Sequence, residues 1–231
     1  MDGHCNPITL RTISPIKRLL PFALCLILFS NSTGRADSIV ILDYKSRFHP
    51  VIGTNGIVSS QEALASQIGL DVLKNGGNAV DSAIAVAYAL AVTLPKAGNI
   101  GGGGFMLVHS AKDKKTYALD FREMAPAGAS RDMYLDENGD VDKQLVRFSP
   151  SSVGVPGTVR GLSVAHEKFG SQSLKELITP AIALARDGIS VTPGLAADLM
   201  VYEKKLKTSP TITQVFYKED GTPYSLGETL V

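Results

Sequence analysis

The sequence contains no tryptophan, and aromatic residues make up only 6% of its 231 residues, which leaves little material for an aromatic recognition surface. Its two cysteines, Cys5 and Cys25, both lie near the start. A chain without its first segment would therefore have no thiol for a disulfide, a thiolate metal site or a cysteine nucleophile. Net charge is small, +1, and no run of lysine or arginine stands out. That excludes a phosphate-tracking surface, so no nucleic-acid partner is expected. Of the four histidines, His49, His109 and His166 follow residue 36, and none has a His-x-x-x-His spacing. They read as solvated or core side chains; no metal site and no cofactor are expected. No Gly-x-Ser-x-Gly element occurs, so an α/β-hydrolase serine is not supported.

What is present is a chain with 44% hydrophobic residues, enough for a real core, and abundant small residues, glycine among them at 22. A small polar ligand fits this composition. Arg11, Lys17 and Arg18 precede the apolar run Leu19 to Phe29, and the polar stretch Ser30 to Thr33 follows, the order of a secretory signal peptide. The run is too short to span a bilayer as a helix, which takes about 20 residues. Gly34 and Ala36 place small residues where a signal peptidase reads, so residues 1–36 are expected to be removed and the protein exported, to a periplasm or the cell exterior. An uncleaved anchor is the alternative. Cys25 lies inside the apolar run after Leu24, a poor lipidation context.

Beyond the leader, Ser38 to Asp43 and His49 to Ser59 read as strand and strand-turn-strand. Ser59 and Glu62 have a capping-box spacing that predicts a helix start, and Gly76-Gly77 predicts its end. Asn78 to Val92 is almost uniformly small and apolar and predicts a helix buried on all sides, with Asp81 near its N-terminus. Phe105 to Ser110 and Thr116 to Arg122 predict a hairpin on which the helix pair packs. Asp136 to Asp140 is a polar turn; its alternating acids hint at calcium, but no later bidentate glutamate follows at the required distance. Helices are predicted at Thr158 to Lys168, Leu174 to Asp187 and Pro193 to Lys205, with caps at Ser173/Glu176 and Thr192-Pro193. Val215 to Val231 alternates and predicts extended structure.

Two segments carry candidate chemistry. The run Gly101 to Gly104 offers backbone N–H groups to an anion, but Phe105-Met106 follows instead of the Lys-Ser/Thr of a phosphate loop, which leaves tight packing between the preceding helix and the next strand. Asp120-Phe121-Arg122-Glu123 ends a predicted strand, where alternation puts Asp120 and Arg122 on one face and Phe121 and Glu123 on the other. Arg122 reads either as a salt-bridged surface residue or as a planar fork that captures a carboxylate.

Several segments, in this order, carry a resemblance: Gly76-Gly77-Asn78-Ala79-Val80-Asp81 with Ala83, Gly98-Asn99-Ile100-Gly101-Gly102-Gly103-Gly104-Phe105-Met106, Asp120-Phe121-Arg122-Glu123-Met124-Ala125-Pro126, Val155-Pro156-Gly157 and Pro180-Ala181. From about Gly56 onward the chain resembles the large subunit of the γ-glutamyltranspeptidase family. The resemblance implies an α+β fold, the αββα sandwich of the N-terminal-nucleophile hydrolases, made as a precursor that cuts itself into two subunits. Residues 37–231 would be the N-terminal portion of the large subunit. It also implies a threonine at the head of the small subunit that attacks a γ-glutamyl amide with its own amino group as base, and a γ-glutamyl-enzyme that passes to water, an amino acid or a peptide. Glutathione is the usual donor, and Arg122 matches the arginine that binds the glutamyl α-carboxylate.

One departure stands against the match. The family's nucleophile segment is Thr-Thr-His, an aromatic residue and serine, and this sequence has no pair of adjacent threonines. No catalytic residue is therefore expected within the chain. The resemblance implies that the sandwich is incomplete here, that the missing small subunit is the partner, and that this polypeptide alone is inactive and poorly soluble. A cephalosporin-acylase-like relative is the alternative within the family. A non-catalytic exported fragment or small-molecule-binding module is the alternative outside it.

Overall fold

The computed structural model describes residues 50–231; the expected leader, the predicted strand at 38–43 and His49 lie outside them. Helices α1 (Ala63–Lys74) and α2 (Ala79–Thr93) form an antiparallel pair, followed by the hairpin β1 (Phe105–Ser110) and β2 (Lys115–Asp120). Then come α3 (Lys143–Phe148), a 3-10 turn at Pro150–Ser152, α4 (Thr158–Phe169), α5 (Leu174–Asp187), β3 (Ile189–Ser190), α6 (Pro193–Val201), α7 (Glu203–Leu206), α8 (Pro210–Phe216) and β4 (Thr229–Leu230). Both described sheets are two-stranded and antiparallel: β1 pairs with β2 from Phe105↔Asp120 to Ser110↔Lys115, and β3 with β4.

Helix α2 is the centre because its side chains are small enough for neighbours to approach from several directions. Ile84, Ala85 and Ala89 are fully buried, and Val72 of α1, Leu162 and Ala165 of α4 and Leu177 of α5 join Ile84 and Ala85 in one cluster. Met106, Val108 and Leu119 close it from the hairpin. Burial of a side chain such as Ile84 contributes about 1.5–3 kcal/mol. The sequence predicted α2 as covered on every side; Ala83 is exposed, so the cover is incomplete on that face. A second cluster joins β3, α6 and β4 through Ile189, Val191, Leu195, Leu199 and Leu230.

The start of α2 is fixed by two polar side chains. Asn78 caps the helix, its Oδ1 accepting from Val80 N at 2.8 Å and Asp81 N at 3.0 Å, and Asp81 Oδ2 accepts in return from Asn78 N at 2.9 Å. Both also reach across the fold. Asn78 Nδ2 donates to the Phe169 carbonyl at 2.7 Å, Ser171 N donates to Asp81 Oδ1 at 2.9 Å, and the Ser171 hydroxyl donates to Asp81 Oδ2. The α4–α5 connection is thereby pinned to the head of α2. Burial acts to raise the pKa of the enclosed Asp81 carboxyl, but the bonds from Ser171, Asn78 and Gln172 outweigh it and hold the group below its ordinary 3.8.

Several predicted features differ. Residues 50–62 form no strand, and Val51 and Ile52 are exposed, because no described segment lies alongside to complete a ladder. The Ser59/Glu62 capping box does not form; Glu62 is the N-cap without a side-chain bond, and Ser60 instead bonds to the Ser66 hydroxyl. The helix predicted from Pro193 to Lys205 breaks at Tyr202 (φ −100°, ψ 9°) into α6 and α7. Val215 and Phe216 belong to α8, so the extended stretch expected from Val215 contributes only the Tyr217↔Pro223 bridge and β4. Residues 136–140 form the plain turn, with Asp136 Oδ1 accepting from Asn138 N and Asp140 N.

Replacing the buried Asp81 by alanine removes the acceptor shared by the Asn78 and Ser171 N–H groups and the Ser171 hydroxyl, and is expected to destabilise the chain by about 2–4 kcal/mol in denaturant titration. Because the folded carboxyl ionises below its ordinary value, its stabilising effect is complete above the unfolded pKa and drains away as pH falls through the folded one. The stability difference between wild type and Asp81→Ala should accordingly shrink below about pH 4. An unchanged difference down to pH 2 would remove the ionised bond network as its cause.

Candidate functional site

The segment that follows β2 is built by close backbone approach. Gly104 and Phe121 exchange hydrogen bonds (Gly104 N to Phe121 O, 3.3 Å; Phe121 N to Gly104 O, 3.0 Å), one step beyond the strands. There the Asp120 carboxylate accepts the Arg122 N–H at 3.0 Å and turns the chain, so the strand predicted to reach Arg122 ends at Asp120. Met124 then bridges to Val155, with N···O distances of 3.2 and 2.8 Å.

Glycines surround this segment. A Cβ on Gly103 would lie 2.6 Å from the Phe121 carbonyl oxygen, one on Gly157 would lie 1.9 Å from the same atom, and one on Gly161 would lie 2.1 Å from Phe121 Cγ. None of these approaches is possible for a residue with a side chain. The glycine run therefore serves packing, as one of its two sequence readings held, but its partners are Asn99 and the turn at 121–123 rather than the preceding helix and the next strand. Gly102 adds a further tie: its carbonyl accepts from Gly157 N at 2.8 Å and Thr158 N at 3.0 Å, which anchors the start of α4.

With the ladder ended, Arg122 and Glu123 do not take opposite faces as strand alternation predicted. Arg122 Nε donates to Glu123 Oε2 at 3.2 Å, and the guanidinium carbon stands 5.6 Å from the Phe105 ring centroid. The two side chains are 61% and 36% exposed, so the ion pair is a weak tether rather than a sink for the charge. Its own backbone N–H holds the Glu123 carboxyl below the ordinary 4.5, with partial burial opposing and the Arg122 guanidinium and Gly103 N–H assisting. The remaining guanidinium N–H groups of Arg122 have no hydrogen-bond partner among the described residues.

These groups edge a pocket of about 370 Å³ between the end of β2 and α4. Arg122, Arg160 and Lys168 supply cations to its wall and Asp120 the one carboxylate; Phe121 and Val164 supply apolar surface. A larger groove of about 560 Å³ between α2 and α5, lined by Tyr88, Ile178 and Ile182, carries no charged group. The residues singled out from sequence do not all converge. His109 pairs with the Thr116 hydroxyl at 3.1 Å on the hairpin, and His166 Nε2 contacts the Gln172 carbonyl oxygen at 2.7 Å. Among the described residues, no group of three or more His, Cys, Asp or Glu side chains is arranged to hold a metal. Arg160 and Lys168 were not singled out from sequence, since two charges on a solvated helix face carry no distinguishing pattern. Gly161 left one usable signal, a glycine inside a helical run.

A mixed α+β scaffold with a small cation-lined pocket has the chemistry to take up a small anionic ligand. Residues 65–231 match the family model described as Gamma-glutamyltranspeptidase, and the chain belongs to that family. It is 50% identical over 184 residues to the glutathione hydrolase proenzyme of Escherichia coli, a match covering 80% of this chain and 32% of that protein. The structure is similar to Helicobacter pylori γ-glutamyltranspeptidase with a TM-score of 0.76 and 40% identity, covering 79% of this chain and 52% of that one. It is also similar to cephalosporin acylase from Bacillus halodurans, with a TM-score of 0.64 and 29% identity, covering 83% and 37%. These neighbours agree with the N-terminal-nucleophile hydrolase fold class. The chain spans about a third of the length of the curated relatives it matches.

Alanine is a better helix former than glycine by about 1 kcal/mol, so Gly161→Ala would stabilise an unconstrained α4. Here the new Cβ meets the Phe121 ring, and a net loss of about 1–3 kcal/mol is expected in thermal or urea unfolding. Adding Phe121→Leu should relieve part of it, since the two sites touch. A stabilised Gly161→Ala would show that the close approach is not a constraint.

Proposed function

We propose that this chain supplies the carboxylate-binding part of an enzyme that hydrolyses and transfers γ-glutamyl groups from glutathione and related compounds. The observation that carries the reading is Arg122, fixed by the Asp120 turn, with guanidinium N–H groups left over after its bond to Glu123, at a cation-lined pocket. Membership of the family and likeness to proteins named glutathione hydrolase proenzyme support it.

In this reading the planar fork of Arg122 takes the α-carboxylate of the γ-glutamyl group in paired, charge-assisted hydrogen bonds. Glu123 keeps Nε engaged and so limits rotation of the fork. The sequence has no adjacent threonines, so the nucleophile comes from a segment not represented in these residues, the small subunit of the same precursor. Its hydroxyl attacks the γ-amide carbonyl, the C–N bond breaks, and the released amine carries away a proton. The γ-glutamyl ester then passes to water, an amino acid or a peptide. The chain by itself is inactive. Export after removal of residues 1–36 belongs to the same proposal, resting on the order of charged, apolar and polar residues at the start.

A second reading, an acylase for a different acyl group, draws on the likeness to the Bacillus halodurans cephalosporin acylase. Arg122 favours the first, because a fork for an α-carboxylate is of use only to a donor that has one.

In the complete, processed gene product, Arg122→Ala is expected to lower kcat/KM for release of a γ-glutamyl anilide roughly a hundredfold, the equivalent of about 3 kcal/mol, mainly through KM. Arg122→Lys should recover only a small part, since one ammonium does not reproduce two parallel bonds. Unchanged KM in Arg122→Ala would sink the assignment. Preference for a butyryl over a γ-glutamyl anilide would favour the acylase. N-terminal sequencing of the exported protein is expected to begin at Asp37; an intact Met1 in that fraction would contradict cleavage.

A further inference from the structure

The pocket beside Arg122 is more positive than one donor carboxylate requires. Arg122, Arg160 and Lys168 line it against a single acid, Asp120, whose Oδ1 already accepts the Arg122 N–H. One bound α-carboxylate leaves that wall with an excess cation. Arg160, Val164 and Lys168 recur every four residues along α4 and so lie on one stripe facing the space. At 1.5 Å rise per residue, Arg160 and Lys168 stand about 12 Å apart along the helix, with Val164 between them. The order is cation, apolar patch, cation.

We propose that Arg160 is a second carboxylate receptor, which favours γ-glutamyl peptides whose leaving group ends in a carboxylate over donors with a neutral leaving group. The inference rests on Arg122 as the receptor for the γ-glutamyl α-carboxylate. A space of about 370 Å³ is roughly 9 Å across if taken as a sphere, the span of two to three extended residues. A γ-glutamyl dipeptide or tripeptide anchored at Arg122 therefore has its far carboxylate within reach of the wall formed by α4.

Arg160 is free to take it. Among the described residues its polar contact is a single bond from Nη1 to Glu167 Oε1 at 3.2 Å, with the two side chains 73% and 59% exposed. Exposed pairs of this kind contribute little and exchange readily for a better acceptor. A peptide carboxylate, held in place by its other end, meets the guanidinium at high effective concentration and accepts two bonds where Glu167 accepts one. Val164 offers its methyl groups to the methylene and side-chain carbons between the two charges. Lys168 adds positive potential at the far end of the stripe.

The test compares two donors in the complete, processed protein: glutathione, and its glycyl ethyl ester, which differs only in losing the distal charge. The quantity read is the ratio of their kcat/KM values, which does not depend on how much of a variant preparation is folded. Wild type is expected to prefer glutathione about tenfold, the effect of one charge-assisted carboxylate contact at an accessible site. Arg160→Ala should bring the ratio to near one, Arg160→Lys should retain part of the preference, and added salt should reduce the wild-type ratio. Arg160→Ala keeping the wild-type ratio would overturn the proposal while leaving the role of Arg122 intact. Wild type with no γ-glutamyl hydrolysis at all, or with an Arg122→Ala variant as active as itself, would overturn both.

Discussion

The rest of this structure depends on how closely the backbone is allowed to approach residues 121–123. Gly103 and Gly157 come so near to the Phe121 carbonyl, and Gly161 so near to its ring, that no side chain fits in any of the three places. Three separate parts of the chain, the loop after α2, the loop before α4 and the body of α4, are thereby held against one short turn. The turn is where Arg122 projects. A guanidinium on a flexible loop would lose conformational freedom on binding, whereas one whose backbone is clamped from three sides has already lost most of it on folding.

Electrostatics then decides what such a site can hold. The Asp120 carboxylate serves the backbone, and Glu123 serves one edge of the guanidinium, so both acids near Arg122 have local tasks. The cations across the pocket have weaker attachments: Arg160 has one exposed pair, and Lys168 none among the described residues. The balance is a positive wall on a chain of almost no net charge. A local field of this kind comes from placement, not from composition.

Much of the fold was legible beforehand. The box at Ser173 and Glu176, the cap at Thr192 and the proline behind it mark helix starts through bonds made within four residues, and the structure has each of them. Asp142 and Ser209-Pro210 carry the same kinds of signal for α3 and α8, but the helices they open are only 6 and 7 residues long, too short for a periodic pattern to stand out. Ser59 and Glu62 show the opposite failure. Their spacing is right, but no side-chain cap forms: Ser60, next to Ser59, bonds to the Ser66 hydroxyl and the Glu62 carbonyl, and the helix starts after Glu62. The strand expected from His49 to Ser59 does not form over its described part, residues 50–59, for another reason, since a ladder needs a neighbour that periodicity cannot supply.

At the site, the sequence by itself determined that Arg122 sits beside two acids and downstream of a glycine run, because those facts are local and the family's motifs are contiguous. It determined too that adjacent threonines are absent. Only the tertiary structure decided that Arg122 and Glu123 share a face, that Asp81 binds Ser171 across 90 residues of chain, and that Arg160 faces the same space as Arg122. The physical reason is range. Caps and turns are satisfied by neighbours in the chain, while a pocket wall is assembled by burial of apolar surface between distant segments, and that force is blind to which charges it brings together.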